Sequence, residues 1–358
     1  MKKIKIIIST IPLGSGGAGC YLYHIVGTHQ DHVLFSPRIP QFNNESSTYK
    51  RIYKRLIKLQ VMMIKMLSWL MAGLKLIDSV VIFHPQSLGY ALTASVIRSA
   101  NKTKYWVLDT SLFCKKSYNH YNGKACLKCL YSFEPHSDCS HFPNYSSDEV
   151  YIKFQNVISN NLNKIVFHIQ TKGHGELLKL RYGQATKMTG VKMLVPEFYK
   201  MKDYSVGNYE YDIGFHGNLV EGKGFMYTLD LSSNIKDSSF LMPGKKPKDI
   251  MGMTNVKYLP CTWDTGLDEA LTKCKIILCP SIWTQPVEAA VIKSMLIGRP
   301  VGLIVSEYNF TCEIPDECYV ALSGDAVDDA EILKSLLTNT QKMNAVGEKG
   351  KQWASKYI

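Results

Sequence analysis

A polar loop between an apolar run and a helix, within residues 279–301, carries the side chains best suited to chemistry in this sequence. The apolar residues 275–278 have the character of a short buried strand, and the following helix is expected to start at Pro286 and stop at Gly298. Loops that lead from a buried strand into a helix N-terminus bind phosphorylated ligands in open α/β sheets, because the first N–H groups of the helix are unpaired. The candidate binding residues are Trp283, Gln285, Glu288 and Lys293. Trp283 as a core aromatic, and Glu288 with Lys293 as a structural ion pair, are the alternatives.

A second segment of this kind lies near the N-terminus, where residues 14–19 form a G-x-G-x-x-G pattern between a predicted strand and a predicted helix. Glycines at these spacings let the backbone approach a phosphate closely. A dinucleotide site also needs an acidic residue at the end of the second strand. That strand ends at residues 35–37 without one, which disfavours NAD. A phosphate-facing loop and a tight turn without a ligand both remain.

In a third segment, residues 211–225, the sequence again predicts a strand followed by a loop and a helix. The apolar strand predicted at 211–215 is followed by a glycine-rich loop that contains Lys223 and Gly224. A lysine ammonium is a suitable point charge for a diphosphate. A solvated surface lysine is the structural alternative.

Together these segments resemble the donor-site signatures of the retaining GT-B glycosyltransferases of the glycosyl transferases group 1 family. The resemblance rests on the Pro-Ser pair at 280–281, the Gly-x-Pro-Val ending at 298–301, Lys223 with Gly224, and the glycine-rich loop. The two acidic positions of the family signature fall on Gln285 and Lys293, and an arginine position falls on Asn218. The chain is therefore expected to belong to a variant sub-group.

The resemblance implies transfer of a sugar from a nucleotide-sugar donor to a glycan acceptor, with retention of configuration and no catalytic metal. The acceptor would be a lipid-linked glycan in surface polysaccharide, lipopolysaccharide or O-antigen synthesis. Lys223 would neutralise the donor diphosphate, Glu288 and Lys293 would contact the sugar or ribose, and Gly16 and Gly17 would frame the reaction centre. A glycan-binding scaffold that has lost catalysis, and a nucleotide-sugar epimerase of the same fold, remain as alternatives.

Strands that alternate with helices along the chain predict the α/β class with parallel sheets. The length of 358 residues fits two domains of roughly 150–200 residues each. The resemblance implies the GT-B fold, in which two Rossmann-like domains face each other across a cleft. We expect an acceptor domain at 1–198, a donor domain at 199–340, and a final helix at 341–358 that crosses back to the first domain.

Residues 110–148 interrupt the alternation and form a predicted Cys-rich insertion in the first domain. Cys126 and Cys129 have the C-x₂-C spacing of a zinc site, although no second pair of this spacing follows. We expect a structural zinc bound by Cys114, Cys126, Cys129 and Cys139, with thiols that bind no metal as the alternative.

Two polar residues end predicted strands of the first domain, His84 and Asp109. The resemblance places both on the acceptor side of the reaction centre. A helix-capping role is the alternative for Asp109.

The net charge of +12 points to an anionic partner. Five basic residues share one helix face beside an apolar stretch, a pattern typical of helices on acidic membrane surfaces, though it also fits a solvated face over a core helix. These are Lys50, Arg51, Lys54, Arg55 and Lys58.

No nucleic-acid-binding motif occurs, so nucleic acid is not an expected partner. No run approaches the roughly 20 uninterrupted apolar residues of a spanning helix. We expect a cytoplasmic protein, peripheral on the inner face of the plasma membrane if the basic face binds lipid.

Overall fold

The computed structural model of the protein describes residues 3–13, 16–38, 47–116, 118–139, 147–190, 204, 208–250 and 252–357. By internal contacts the chain divides into two units. The first unit comprises Met1–Ser117 and Leu127–Val195, and the second comprises Tyr118–Cys126 and Pro196–Ile358. A short piece of the predicted insertion therefore belongs to the second unit, although the chain on both sides of it belongs to the first.

A six-stranded parallel sheet forms the centre of the first unit. Its strands are β1 (Ile4–Ile8), β2 (Val33–Phe35), β3 (Ile77–Phe83), β4 (Lys102–Val107), β7 (Ile165–Ile169) and β8 (Met188–Gly190). They lie in the order β2-β1-β3-β4-β7-β8. The central strands are almost wholly apolar and buried because helices cover both faces of a parallel sheet. The strand order reverses direction between β1 and β3, so the loops after these two strands flank the switch point, where such sheets bind ligands.

The helices of the first unit begin where side chains can satisfy the unpaired N–H groups. In α5, Ser147 accepts a hydrogen bond from Val150 N, and Asp148 and Glu149 place negative charge in the first turn. Thr171 caps α6 in the same way. The helices are α1 (Gly16–Thr28), α2 (Ser47–Gly73), α3 (Pro85–Leu88), α4 (Tyr90–Ser99), α5 (Asp148–Ser159) and α6 (Lys172–Tyr182).

Helix α2 has two contrasting faces. The helix packs against α4, and its buried residues are Ile64, Ser68, Met71 and Ala72. A second set of apolar side chains, here called the α2 apolar stripe, recurs every three or four residues and is exposed to solvent. The stripe consists of Ile52, Leu56, Leu59, Met63, Met66 and Leu70.

By length and composition, the α2 segment Lys54–Gly73 could cross a membrane. It has 20 residues and a mean hydropathy of 1.4, and 22% of it is buried within the molecule. The search for an uninterrupted apolar run misses this segment because Lys65 breaks the run while the average stays high.

The second unit contains another six-stranded parallel sheet. Its strands are β9 (Tyr211–Phe215), β10 (Phe240–Pro243), β11 (Val256–Leu259), β12 (Cys274–Leu278), β13 (Val301–Ile304) and β14 (Val320–Leu322). The order is β11-β10-β9-β12-β13-β14, which is the Rossmann order with its switch point between β9 and β12. Two Rossmann-like parallel-sheet units confirm the predicted fold class.

Helices flank the second sheet and close its core. They are α7 (Phe225–Asn234), α8 (Leu267–Thr272), α9 (Ala289–Leu296), α10 (Ala326–Leu337) and α11 (Thr340–Ala354). Helix α11 packs against α9, and a side chain on Gly347 would meet the carbonyl oxygen of Gly298 at 2.4 Å. The last helix thus packs on the second unit, and its expected crossing to the first domain stays a prediction.

The piece of the insertion that belongs to the second unit is a β-hairpin, residues 118–126. Strands β5 (His120–Tyr121) and β6 (Lys124–Ala125) pair antiparallel across a turn formed by Asn122 and Gly123. Both turn residues have positive φ, 47° and 72°, as a two-residue type I′ hairpin turn requires. We call this segment the 118–126 hairpin.

Candidate functional site

Two loops leave the second sheet side by side at its switch point. Strands β9 and β12 are parallel neighbours, and their last residues, Phe215 and Leu278, are in register. The chain after each strand therefore emerges at the same edge of the sheet, where α/β proteins of this topology bind ligands. Residues 216–224 form the first loop and residues 279–288 the second.

The two loops are held together by a close backbone approach at Gly224. This residue has φ of +75°, and a Cβ atom built on it would lie 2.0 Å from the carbonyl oxygen of Pro280. The backbone N–H of Ile282 also donates to the carbonyl oxygen of Gly222 at 3.1 Å. The predicted binding residue Gly224 is thus required by the packing of the two loops, and no side chain fits in its place.

A buried ion pair joins the two loops. The Lys223 Nζ lies 2.7 Å from Glu288 Oε1, and Ser281 Oγ donates to Glu288 Oε2 at 2.6 Å. The exposed fraction of the side chain is 15% for Lys223 and 5% for Glu288. Burial alone would lower the pKa of Lys223, but the Glu288 carboxylate raises it above its ordinary value, so the ammonium keeps its charge. The site therefore holds a positioned cation.

Aromatic rings surround this cation. The Lys223 Nζ lies 5.2 Å from the ring centroid of Trp283 and 5.6 Å from that of Tyr118. The two rings are themselves in contact, with centroids 4.5 Å apart. Rings that exclude water strengthen the electrostatic field of a charge beside them.

Two polar atoms of the second loop are buried without a hydrogen-bond partner among the residues that the structure describes. These atoms are Trp283 Nε1 and Gln285 Oε1. Trp283 is 4% exposed and Gln285 is 2% exposed. Buried polar groups are usually paired, so this donor and this acceptor, which belong to the same loop, are candidates for contact with a polar ligand.

The sequence predicts that this helix starts at Pro286, but helix α9 begins at Ala289. Glu288 is its N-cap residue, and its side chain makes no cap hydrogen bond because Lys223 and Ser281 engage it. Among the described residues the ion pair of Glu288 is with Lys223, whereas Lys293 lies further along α9. Its Nζ lies 4.5 Å from the ring centroid of Trp263.

His216 is the first residue of the first loop and was not among the predicted residues. It follows β9 directly, stacks on Trp263 with centroids 5.3 Å apart, and its Nδ1 lies 2.8 Å from Ser294 Oγ. Burial, and then the charges of Lys293 and Lys223, lower the pKa of His216 to about 3. The imidazole is neutral at physiological pH. Its position immediately after a buried strand is the sequence signal that could have identified it.

The low pKa of His216 predicts a pH-dependent loss of stability. An unfolded histidine protonates near pH 6.5, whereas the folded one stays neutral to about pH 3. The contribution of His216 to the free energy of unfolding is therefore fully present above pH 6.5, and it is lost as the pH falls from about 6.5 to about 3. At pH 5.5, we expect the wild-type protein to have lost about 1 kcal/mol more than a His216→Gln variant, each relative to pH 7. Urea unfolding at the two pH values measures this, and parallel losses would contradict it.

Asn218 lies in the first loop and is exposed. Its carbonyl oxygen accepts a hydrogen bond from Val220 N at 2.7 Å. The structure thus brings Lys223, Gly224, Trp283, Gln285 and Glu288 together, while the exposed Asn218 has no described contact with them.

The 118–126 hairpin contributes residues that sequence reasoning missed. Asn119 Oδ1 accepts hydrogen bonds from Thr284 N and Thr284 Oγ1, each at 2.9 Å. His120 Nδ1 lies 3.5 Å from Glu221 Oε1. With Tyr118 on Trp283, the hairpin touches both loops of the site.

The first unit has its own polar cluster at the switch point of its sheet. His84 and Asp109 follow β3 and β4, and His84 Nε2 lies 3.8 Å from Asp109 Oδ2. Asp109 Oδ1 accepts from Ser111 N at 2.9 Å, whereas its buried Oδ2 has no hydrogen-bond partner among the described residues. Ser87 Oγ bridges His84 Nδ1 and Thr10 Oγ1, which lies after β1. The cluster therefore spans three strand ends.

His84 holds a left-handed backbone conformation, with φ of 62°. Such a conformation costs a non-glycine residue of order 1–3 kcal/mol, and in proteins it concentrates at functional sites. Gly16 and Gly17 are the first residues of α1, while Gly14 and Ser15 of the predicted loop lie outside the described residues.

The predicted zinc site finds no support in the described residues. No group of three or more histidine, cysteine, aspartate or glutamate residues among them could hold a metal ion. Cys126 belongs to the second unit with the hairpin, whereas Cys114, Cys129 and Cys139 belong to the first. The C-x₂-C spacing here spans the point where the chain passes between units.

Neither a protein-family model nor a curated protein matches this sequence. Solved structures do resemble it. HepE from Anabaena, in complex with UDP, is 13% identical with a TM-score of 0.60, and the alignment covers 100% of this chain and 95% of HepE. Sucrose-phosphate synthase from Thermosynechococcus elongatus is 13% identical with a TM-score of 0.61, and the coverages are again 100% and 95%.

TarM is similar over a smaller part, with 14% identity, a TM-score of 0.52, and coverage of 81% of this chain and 55% of TarM. Identities this low show the fold alone. With two Rossmann-like units, each a six-stranded parallel sheet, the chain has the fold of the GT-B glycosyltransferases.

Proposed function

We propose that this protein transfers a sugar from a nucleotide-sugar donor to a glycan acceptor. The observation that carries the proposal is the buried pair of Lys223 and Glu288 at the switch point of the second sheet. A charged lysine, held between aromatic rings at this edge, matches the diphosphate of a nucleotide sugar. The structures of HepE with UDP and with UDP-glucose support this assignment.

The donor residues have distinct roles in this proposal. Lys223 attracts the diphosphate, and Glu288 keeps the lysine charged and in place. Trp283 Nε1, which has no hydrogen-bond partner among the described residues, donates to a sugar oxygen, and Gln285 Oε1 accepts from a sugar hydroxyl. Sugar hydroxyls both donate and accept, so one sugar can satisfy both atoms. Lys293, whose Nζ lies beside the ring of Trp263, contacts the sugar or the ribose.

The reaction that we propose retains the anomeric configuration. The bond between the anomeric carbon and the diphosphate oxygen breaks, and an acceptor hydroxyl oxygen forms the new bond on the same face. The proton of that hydroxyl passes to the departing diphosphate. The protein contributes positioning and stabilisation of the charge that develops on the diphosphate, where the Lys223 ammonium acts.

The acceptor residues lie in the first unit. We assign His84 and Asp109 to the acceptor hydroxyl, because Asp109 Oδ2 is buried without a hydrogen-bond partner among the described residues and the partly exposed His84 lies 3.8 Å from it. The strained backbone of His84 is consistent with a functional position.

A screen against UDP-, GDP-, CMP- and dTDP-sugars tests the donor. We expect one nucleotide class to raise the melting temperature and to be consumed when a glycan acceptor is supplied. If no nucleotide binds and none is consumed, the proposal fails, and a glycan-binding protein without catalysis is the better assignment.

We also propose that the acceptor is lipid-linked and that α2 docks on an anionic membrane surface. The α2 apolar stripe is exposed, and the cationic residues Lys54, Arg55 and Lys58, all exposed, lie beside it on the same helix. A helix of this kind lies in the interface with its apolar side chains among the lipids. Lys50 and Arg51, which complete the predicted basic face, have side chains outside the described set.

Vesicle flotation measures this docking. We expect stronger binding to vesicles with anionic lipid than to neutral ones, since each basic residue contributes about 1 kcal/mol near an anionic surface. Met66→Glu should reduce binding at least tenfold. Val327→Glu, on an exposed apolar side chain of α10 with a similar exposed fraction (62% against 64%), is the control and should bind like the wild type. Equal binding to neutral vesicles, or an unaffected Met66→Glu variant, would contradict the proposal.

A further inference from the structure

The 118–126 hairpin reaches the candidate donor site from an insertion in the first unit. The contacts of the hairpin belong to the second unit, while the residues before and after it belong to the first. A hairpin that made only local contacts would stay with its flanking chain. Its association with the second unit indicates specific contacts there.

Asn119 supplies the strongest of these contacts. The residue is fully buried, and its Nδ2 donates to the carbonyl oxygen of Cys126 at 3.0 Å, which closes the hairpin. Its Oδ1 accepts both the backbone N–H and the hydroxyl of Thr284. One buried amide thus fixes the hairpin and the second loop at once. A donor or acceptor left unpaired in such a place costs about 1–3 kcal/mol.

Thr284 lies between the two residues whose polar side-chain atoms have no hydrogen-bond partner within the described part of the chain. Trp283 Nε1 precedes it and Gln285 Oε1 follows it. Holding Thr284 therefore fixes the backbone that carries both atoms, and with it the position at which a sugar would be bound. Small errors of position at a reacting group reduce rates strongly.

Tyr118 supports the other part of the site. Its ring contacts Trp283 and lies beside Lys223, and it also packs on Gly222, where a Cβ atom would approach Tyr118 Cδ2 to 2.9 Å. The missing side chain at Gly222 leaves the space that the ring occupies. The hairpin thus packs beside Lys223 and Trp283 through the ring of Tyr118.

We propose that the 118–126 hairpin is an element of the donor site, in which Asn119 and Tyr118 are positioning residues for the transferred sugar and for Lys223. This inference rests on the proposed function. Asn119 acts through Thr284 on the atoms that bind the sugar, and Tyr118 acts through Trp283 and Lys223 on the diphosphate.

The inference predicts separate effects on sugar and diphosphate binding. The probes are the nucleotide sugar that binds best in the four-class screen and its free nucleoside diphosphate, measured by calorimetry on the full chain. We expect Asn119→Ala to weaken binding of the nucleotide sugar at least tenfold and binding of the nucleoside diphosphate much less. Tyr118→Ala should weaken binding of both probes. Tyr118→Phe, which keeps the ring, should retain most of the wild-type affinity. Lys124→Ala changes an exposed residue of the same hairpin and should bind like the wild type.

The outcomes separate this inference from the proposed function. If the wild-type chain binds no nucleotide of the four classes, both fail. If it binds and Asn119→Ala behaves like Lys124→Ala, only the role of the hairpin is wrong. If Asn119→Ala does not fold, Thr284→Val replaces it, because that variant removes the hydroxyl donor and leaves the backbone hydrogen bond to Asn119. An equal loss of affinity for both probes in Asn119→Ala would indicate a merely structural hairpin and overturn the proposal.

Discussion

Replacement of Lys223 by methionine is expected to reduce sugar transfer by about 10²- to 10³-fold, the range found when a positioned group that stabilises developing charge is removed. Methionine is a long side chain without charge and can occupy the space between Tyr118 and Trp283. The loss should appear in kcat as well as in donor affinity, because the leaving diphosphate carries most of its charge late in the reaction. Steady-state kinetics with the donor selected by the screen measures it.

The same substitution leaves Glu288 buried without its cation, which is expected to cost about 3 kcal/mol of stability. A loss of activity through unfolding must therefore be separated from a loss of chemistry. The double variant Lys223→Met with Glu288→Gln removes the unpaired charge and can keep the hydrogen bond from Ser281. We expect it to recover most of the stability and none of the activity. Recovery of transfer by the double variant would show that Lys223 is a structural residue.

Much of the fold could be predicted from local sequence. The apolar run at 275–278 became β12, and the strand expected at 211–215 was found there as β9. Both loops that follow these strands were identified as phosphate-binding candidates. What the local pattern could not provide is the contact between Lys223 and Glu288, which lie 65 positions apart. That contact depends on the strand order, which places β9 beside β12.

The insertion shows a different limit of sequence reasoning. The pair Asn122 and Gly123 is a strong hairpin signal, yet nothing local reveals which surface a hairpin will pack on. The partner of Asn119 is Thr284, 165 positions away, and no periodicity connects them. The spacing of Cys126 and Cys129 is limited in the same way, and the zinc site stays a prediction. Two cysteines at the right interval are necessary for a zinc knuckle, but the other two ligands must come from the tertiary structure.

Replacement of Gly224 by alanine is expected to destabilise the second unit by about 2–5 kcal/mol and to abolish donor binding. Two costs add. A left-handed φ of +75° costs a residue with a Cβ atom about 1–2 kcal/mol. The Cβ atom would also meet the backbone oxygen of Pro280 at 2.0 Å, and relief of such overpacking costs about 1–3 kcal/mol because a backbone must move. The movement separates the loop of Lys223 from the loop of Glu288.

Gly266 provides the matched control for this prediction. It is also a left-handed glycine that precedes a helix of the second unit, with φ of +104°, but its hypothetical Cβ meets no described residue within 4 Å apart from its own chain neighbours. Gly266→Ala therefore carries the backbone cost without the collision, and we expect a loss of about 1–2 kcal/mol with donor binding intact. Urea unfolding and calorimetric titration of both variants measure the difference. Because the two glycines share backbone strain, that difference isolates the contact with Pro280, and equal losses would show that this contact does not hold the donor loops together.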